Sequence, residues 1–213
     1  MNCRLLFLCL LHFAILPASG FAQGTYEDLI HAARDGALET VRDLISKGMD
    51  PDTADSAGNT LLLLAAREGH ADVARYLMGR KAKVNARNGA GETPIMLASL
   101  KGRIEVVRLL QAGGADINLP GWAPLHYCAW EGHADICVFL LEHGSAVDAL
   151  SSNGTSPLMM AARQGHIAIV KVLLARSADP TVRNDSGATA LSWAIKAGNG
   201  AIADLLRMAG AKE

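Results

Sequence analysis

The sequence predicts an all-α solenoid of helix-turn-helix units, and three regularities carry that prediction. Gly36, Gly69, Gly102, Gly132, Gly165 and Gly198 recur at intervals of 33, 33, 30, 33 and 33 residues. Four residues before each begins a mostly small pair: Ala32-Ala33, Ala65-Ala66, Ala98-Ser99, Cys128-Ala129, Ala161-Ala162 and Ala194-Ile195. After each comes an apolar stripe, opened by Val41, Val73, Val106, Ile136, Ile169 and Ile202. It is closed by Leu44-Ile45, Leu77, Leu109-Leu110, Leu140-Leu141, Leu173-Leu174 and Leu205-Leu206. A unit of this length cannot bury its own apolar face, so such an array is stable only as a stack.

In chain order, the first element is a leader. Arg4 precedes an uncharged apolar run, Leu5 to Ile15, and small residues follow from Pro17 to Ala22, which is the anatomy of a secretory signal peptide over residues 1–22. The run is shorter than the roughly 20 residues of a membrane-spanning helix. Gly20 and Ala22 occupy the positions a signal peptidase reads, so cleavage is expected before Gln23, with cleavage after Gly20 as the alternative. Residues 23–213 then form one domain with 19 basic and 21 acidic residues, a formal charge of −2. That balance exerts no global pull on nucleic acid or an anionic membrane, and no later stretch is long and apolar enough to span a bilayer.

Within each unit the small pair lets first helices approach closely, and the stripe gives the second helix one buried face. Connectors such as residues 84–94, rich in Asn and Gly, are turns; Thr93-Pro94 then offers a helix N-cap and a proline at the first helical position.

TPIMLAS (93–99), APLHYCAWEGH (123–133) and SPLMMAARQGH (156–166), with the endings GADIN (114–118) and SADP (177–180), closely resemble ankyrin repeats, from about residue 26 to residue 211. The resemblance implies a capping repeat at 26–52, which lacks the Thr-Pro-Leu-His motif, and repeats at 53–85, 86–118, 119–148, 149–181 and 182–213. Leader and repeats together resemble the ankyrin-repeat proteins that some Gram-negative bacteria export, implying a periplasmic or secreted location. Asn153-Gly154-Thr155 and Asn184-Asp185-Ser186 match the N-glycosylation pattern, but glycans there would crowd the expected groove.

The histidines invite a metal reading that spacing opposes. His70, His133 and His166 share one column, and units stack at roughly 10 Å, whereas zinc needs its nitrogens about 2 Å away. A His that satisfies backbone groups at the turn is the expectation for them and for His126, while His31 and His143 have no evident partner. Cys128 and Cys137 flank Gly132, one on each helix of their unit. They admit either two buried apolar thiols, the favoured reading, or a disulfide. No nucleophile elbow, phosphate loop or His-Glu-x-x-His is present, so no enzyme activity and no cofactor is expected.

One unit is short: from Asn118 to Pro124 is six positions, against nine from Asn85 to Pro94 and nine from Asp148 to Pro157. The ankyrin resemblance implies that the loss falls on a finger between units and opens a notch beside the concave face. Following the small pair, that face reads Arg34, Arg67, Leu100, Trp130, Arg163 and Lys196, with Glu68, Lys101, Glu131 and Gln164 adjacent. Trp122 lies at the notch, where it is expected to touch Trp130. Tyr127 and Trp193 share a column with Leu64, Leu97 and Met160 and read as core. Aromatics flanked by cations are the composition of interaction hot spots.

The expected function is therefore a non-enzymatic, monomeric scaffold that binds another protein through Arg67, Glu68, Leu100, Lys101, Trp122, Trp130, Glu131, Arg163, Gln164 and Lys196. In the bland alternative the two tryptophans only cover surface the short finger leaves bare. A further alternative is a redox- or metal-responsive factor acting through Cys128 and Cys137.

Overall fold

First helices start where an extended residue meets a run of helix formers. Thr60, Thr93, Ala123, Ser156 and Thr189 hold the N-cap position with ψ of 162–168°. The Thr60, Ser156 and Thr189 hydroxyls accept from the N–H of Leu63, Met159 and Ser192 at 3.3, 3.4 and 3.1 Å. Thr93 departs from the expected cap. Its hydroxyl is buried without a hydrogen-bond partner, and its N–H faces the Met96 sulfur at 3.3 Å.

The structure, a computed structural model, describes residues 19–212. The leader expected over residues 1–22 therefore lies mostly outside the described residues, as does Glu213. The helices pair as α1 (Ser19–Asp35) with α2 (Leu38–Ser46), α3 (Leu61–Glu68) with α4 (Ala71–Gly79), and α5 (Pro94–Leu100) with α6 (Ile104–Ala112). Then come α7 (Pro124–Glu131) with α8 (Ala134–Glu142), α9 (Pro157–Gln164) with α10 (Ile167–Ala175), and α11 (Ala190–Lys196) with α12 (Gly200–Met208). First helices pack closely on one another in one layer; second helices form a looser layer behind. The chain is thus an all-α helical-repeat solenoid.

The core runs between the layers. Leu29, Leu62, Ile95, Leu125, Leu158 and Leu191 supply one buried residue per first helix, and Val41, Val73, Val106, Ile136, Ile169 and Ile202 supply one per second helix. At roughly 1.5–3 kcal/mol per buried aliphatic side chain, these two columns are a main stabilising term. Ile195 stands where earlier units have Ala or Ser. Among the described residues no following helix covers it, and it is exposed.

Two hydrogen-bond ladders lock unit to unit. In the first, Nε2 of His70, His133 and His166 donates to the carbonyls of Arg34, Leu100 and Trp130 at 2.9, 3.1 and 2.9 Å. Arg103 and Asn199 fill the remaining rungs, reaching the carbonyls of Arg67 at 3.3 Å and Ala162 at 2.9 Å. The histidines thus serve the backbone, each spent on its own carbonyl at the end of the preceding first helix. In the second ladder Asp52, Asn85, Asn118 and Asp148 accept from the N–H of Lys83, Asp116, Ala146 and Asp179. Both ladders run unbroken through the short unit.

The recurring glycine has two reasons at Gly132. Its φ is +91°, and a Cβ there would lie 2.7 Å from the His166 ring. Gly132→Ala is expected to combine left-handed strain with loss of the His166 rung, at about 2–3 kcal/mol in urea unfolding. Gly48→Ala, with φ +99° but open space around it, should cost only the strain, about 1–2 kcal/mol.

Candidate functional site

Between units the chain turns back on itself in fingers. Asp55, Asn88, Ser151 and Asn184 each donate a backbone N–H to the carbonyl four residues on, at 3.0 Å in every case. Neighbouring tips are tied where both are full length: Gly89 N–H donates to Ala57 O at 2.9 Å, and Asp185 N–H to Asn153 O at 3.1 Å. Among the described residues the segment 119–123 makes neither bond, so the row of fingers is interrupted there. Asn184 is buried with its amide oxygen accepting from Ser186 and Ala188, whereas Asn153 is exposed.

The interruption leaves a pocket of about 420 Å³ lined by Arg87, Ala90, Gly91, Glu92, Met96, Pro120, Trp122 and Tyr127. Trp122 is 36% exposed, with its ring 5.2 Å from Tyr127 and 6.4 Å from Trp130 in an edge-on contact, centroid to centroid. The expected Trp122–Trp130 contact is therefore present. Arg163 continues the row, its guanidinium carbon 5.5 Å from the Trp130 ring and 5.2 Å from the Trp193 ring. Tyr127, Trp122, Trp130, Arg163 and Trp193 thus form one contiguous strip across three units.

Two residues expected in the core lie on this strip instead. Tyr127 and Trp193 are half-buried, although Leu64, Leu97 and Met160 of the same column are buried. Loss of finger residues exposes Tyr127 toward Glu92, and the side chains are larger than their column holds. That excess size was the signal available in the sequence. The Tyr127 hydroxyl is pushed up to about 12, by burial first and then by the Glu92 carboxylate to which it hydrogen-bonds.

The other expected site residues divide by neighbour. Arg67 and Glu68 pair with each other at 2.8 Å, and Arg34 lies 4.0 Å from Asp55. Leu100 is half-buried and lends its carbonyl to His133. Lys101, Glu131, Gln164 and Lys196 are exposed on the same face, and Arg163 and Lys196 line a second pocket of about 250 Å³ with Trp193 and Ala197.

The cysteines correct the favoured reading of free thiols. Cys128 on α7 and Cys137 on α8 form a disulfide with Cα atoms 5.7 Å apart, because both side chains point into the space between the paired helices. Both residues are fully buried, and their sulfurs, bonded to each other, leave no thiolate for a metal. His143 also finds a place: its Nδ1 donates to the Phe139 carbonyl at 2.8 Å and its ring lies 4.0 Å from the Phe139 ring.

His126 ties the short unit to the next finger. Its Nδ1 accepts from Ala123 N–H at 3.1 Å, so Nε2 carries the proton and donates to Thr155 O at 3.2 Å. Burial lowers its pKa below the ordinary 6.5.

A stack of helix pairs tied through glycine turns, with fingers on one side, defines a repeat scaffold. The family model described as ankyrin repeats in three copies matches residues 29–120, 81–151 and 125–212, and the chain belongs to the ankyrin-repeat family. Ankyrin repeats are generally protein–protein interaction modules, typically without enzymatic activity. No curated protein matches the chain at a significant level. Among the described residues no helix is long and apolar enough to cross a membrane.

Two solution measurements follow from this geometry. Below about pH 6.5 the unfolded chain protonates His126 while the folded chain resists, so the unfolding free energy contributed by this site falls as the pH drops below that value. The stability gap between wild type and His126→Gln should narrow over the same drop in urea titrations. Reducing the disulfide, which spans nine residues of sequence, should lower unfolding free energy by about 2–3 kcal/mol; urea curves with and without dithiothreitol measure it.

Proposed function

We propose that the chain is a non-enzymatic, monomeric interaction scaffold of an exported compartment, and that it seats a protein partner in the groove beside the short finger. The observation that carries this reading is the strip Tyr127–Trp122–Trp130–Arg163–Trp193, laid along the face where the finger row is interrupted. A tryptophan at the edge of a 420 Å³ pocket gives the partner an apolar anchor point. Groups that only sealed bare core would turn inward, yet Trp122 keeps 36% of its surface in solvent. That favours docking over simple coverage.

Of the expected contact residues, Leu100, Trp122, Trp130 and Arg163 form the centre of the groove in this reading. Lys101, Glu131, Gln164 and Lys196 form its polar rim, and Arg67 with Glu68 its N-terminal border. Export is supported by the leader-like residues 1–22 and by the buried disulfide, which oxidising compartments form and the cytosol does not keep. The redox- or metal-responsive alternative is the weaker one, since a fully buried bridge is screened from thiols and chelating ions alike.

The test is affinity capture from the native exported fraction, with wild type beside a Trp130→Ala, Arg163→Ala double variant of verified fold. A protein retained by wild type and lost by the variant is the expected outcome. Equal capture by both baits, or none by either, would remove the groove assignment and leave the indoles as packing.

A further inference from the structure

We propose that the C-terminal end of the groove is an anion seat, in which Arg163 and Lys196 receive a carboxylate side chain from an acidic segment of the partner. This specifies the occupant of the groove described above and rests on that reading. Among the described residues Lys101 stands alone and unpaired at the middle of the face, but only at its C-terminal end do two unpaired cations share one pocket. Toward the N-terminal end, cations are neutralised within the chain: Arg67 by Glu68 at 2.8 Å, and Arg34 beside Asp55 at 4.0 Å. Toward the other end they are not. Among the described residues, neither Arg163 nor Lys196 enters a salt bridge, although both line the same 250 Å³ pocket with Trp193 and Ala197 and no acidic residue.

Arg163 is also held in a way that suits it to the task. Its guanidinium lies against two indoles, 5.5 Å from the Trp130 centroid and 5.2 Å from that of Trp193. Ring faces hold a planar cation by its flat sides and leave its N–H edge free to donate. A fork restrained before binding loses little side-chain entropy when a carboxylate arrives, and the pair can be bidentate. Lys196, exposed on the pocket wall, adds a second charge whose repulsion with the first an incoming anion relieves. Glu131, the exposed acid one unit earlier, pairs with neither cation, so it directs the partner's negative charge toward the Arg163–Lys196 end.

The chemistry fits a peptide carboxylate better than a polyanion. Two cations are too few for the multiple phosphate contacts on which nucleic-acid or anionic-surface binding depends, and the formal charge of the whole chain is −1. The neighbouring notch, with Met96, Pro120, Trp122 and Tyr127, takes apolar side chains of the same segment.

The experiment is selection of a phage-displayed random dodecapeptide library on the full chain, repeated on a Trp130→Ala variant and on an Arg163→Gln, Lys196→Gln variant. Circular dichroism checks the fold of each. Expected are wild-type-selected peptides enriched in Asp and Glu. A synthetic copy of the leading one should bind at least about tenfold more weakly to the charge-neutralised variant. Enriched neutral or basic peptides that depend on Trp130 would overturn the anion seat and leave the groove standing. Acidic peptides indifferent to Arg163 and Lys196 would overturn the seat as well. No enrichment, or enrichment unaffected by either variant, would remove the groove and the seat together.

Discussion

The stack depends on a side chain at each glycine turn reaching back to the carbonyl that ends the previous first helix. Helix ends leave carbonyls without intrahelical partners, and a neighbour that supplies a donor stabilises two elements with one bond. His70, Arg103, His133, His166 and Asn199 do this with different chemistry, so the requirement is a donor of the right reach rather than an imidazole. Glycine at the preceding turn makes room for that donor. A Cβ at Gly36, Gly69, Gly102 or Gly132 would meet the ring or stem at 2.5–2.8 Å. The periodic glycine and the periodic donor are therefore one device.

Because unit-to-unit adhesion resides in the helices, these rungs and the Asn/Asp rungs, the fingers are free to vary. Removing three positions before Pro124 leaves Asn118 able to hold Ala146 N–H at 2.8 Å and His133 able to hold Leu100 O at 3.1 Å. What changes is the surface. The tip-to-tip bonds seen between neighbouring full-length fingers are absent at residues 119–123, and Trp122, Tyr127 and Met96 line the space that opens. His126 and the Cys128–Cys137 bridge sit in the same unit, holding its finger and its two helices at the point where the finger row is weakest. In the proposed docking, a rigid unit behind an open notch would hold its aromatic side chains in place and lower the ordering cost of association.

The distribution of charge along the groove has the same origin. Repetition places a cation at the end of several first helices, but whether each is neutralised depends on what the adjacent column and the fingers offer. Arg67 has Glu68 beside it and Arg34 has Asp55. At Arg163 the neighbouring positions are Gln164 and two indoles, so the cation is restrained without being neutralised. A regular scaffold thereby acquires one end that differs chemically from the other.

The sequence by itself determined the number of helix pairs, the two core columns, the service of the histidines to the turns, and the unit in which the finger is short. These are legible because period, small pairs and turn glycines are local patterns that stacking requires at fixed positions. It also placed Trp122, Trp130 and Arg163 on one face. Only the tertiary structure decided that Cys128 and Cys137 are bonded, since their separation depends on where two helix axes and two side-chain directions meet. Likewise Tyr127 and Trp193, read from their column as core, lie half-exposed on the strip, because a column records which way a residue faces but not whether its neighbours are large enough to cover it. The Arg34–Asp55 pairing was hidden for the same reason: 4.0 Å between that arginine and that carboxylate is set by packing across units, at a distance no spacing along the chain specifies.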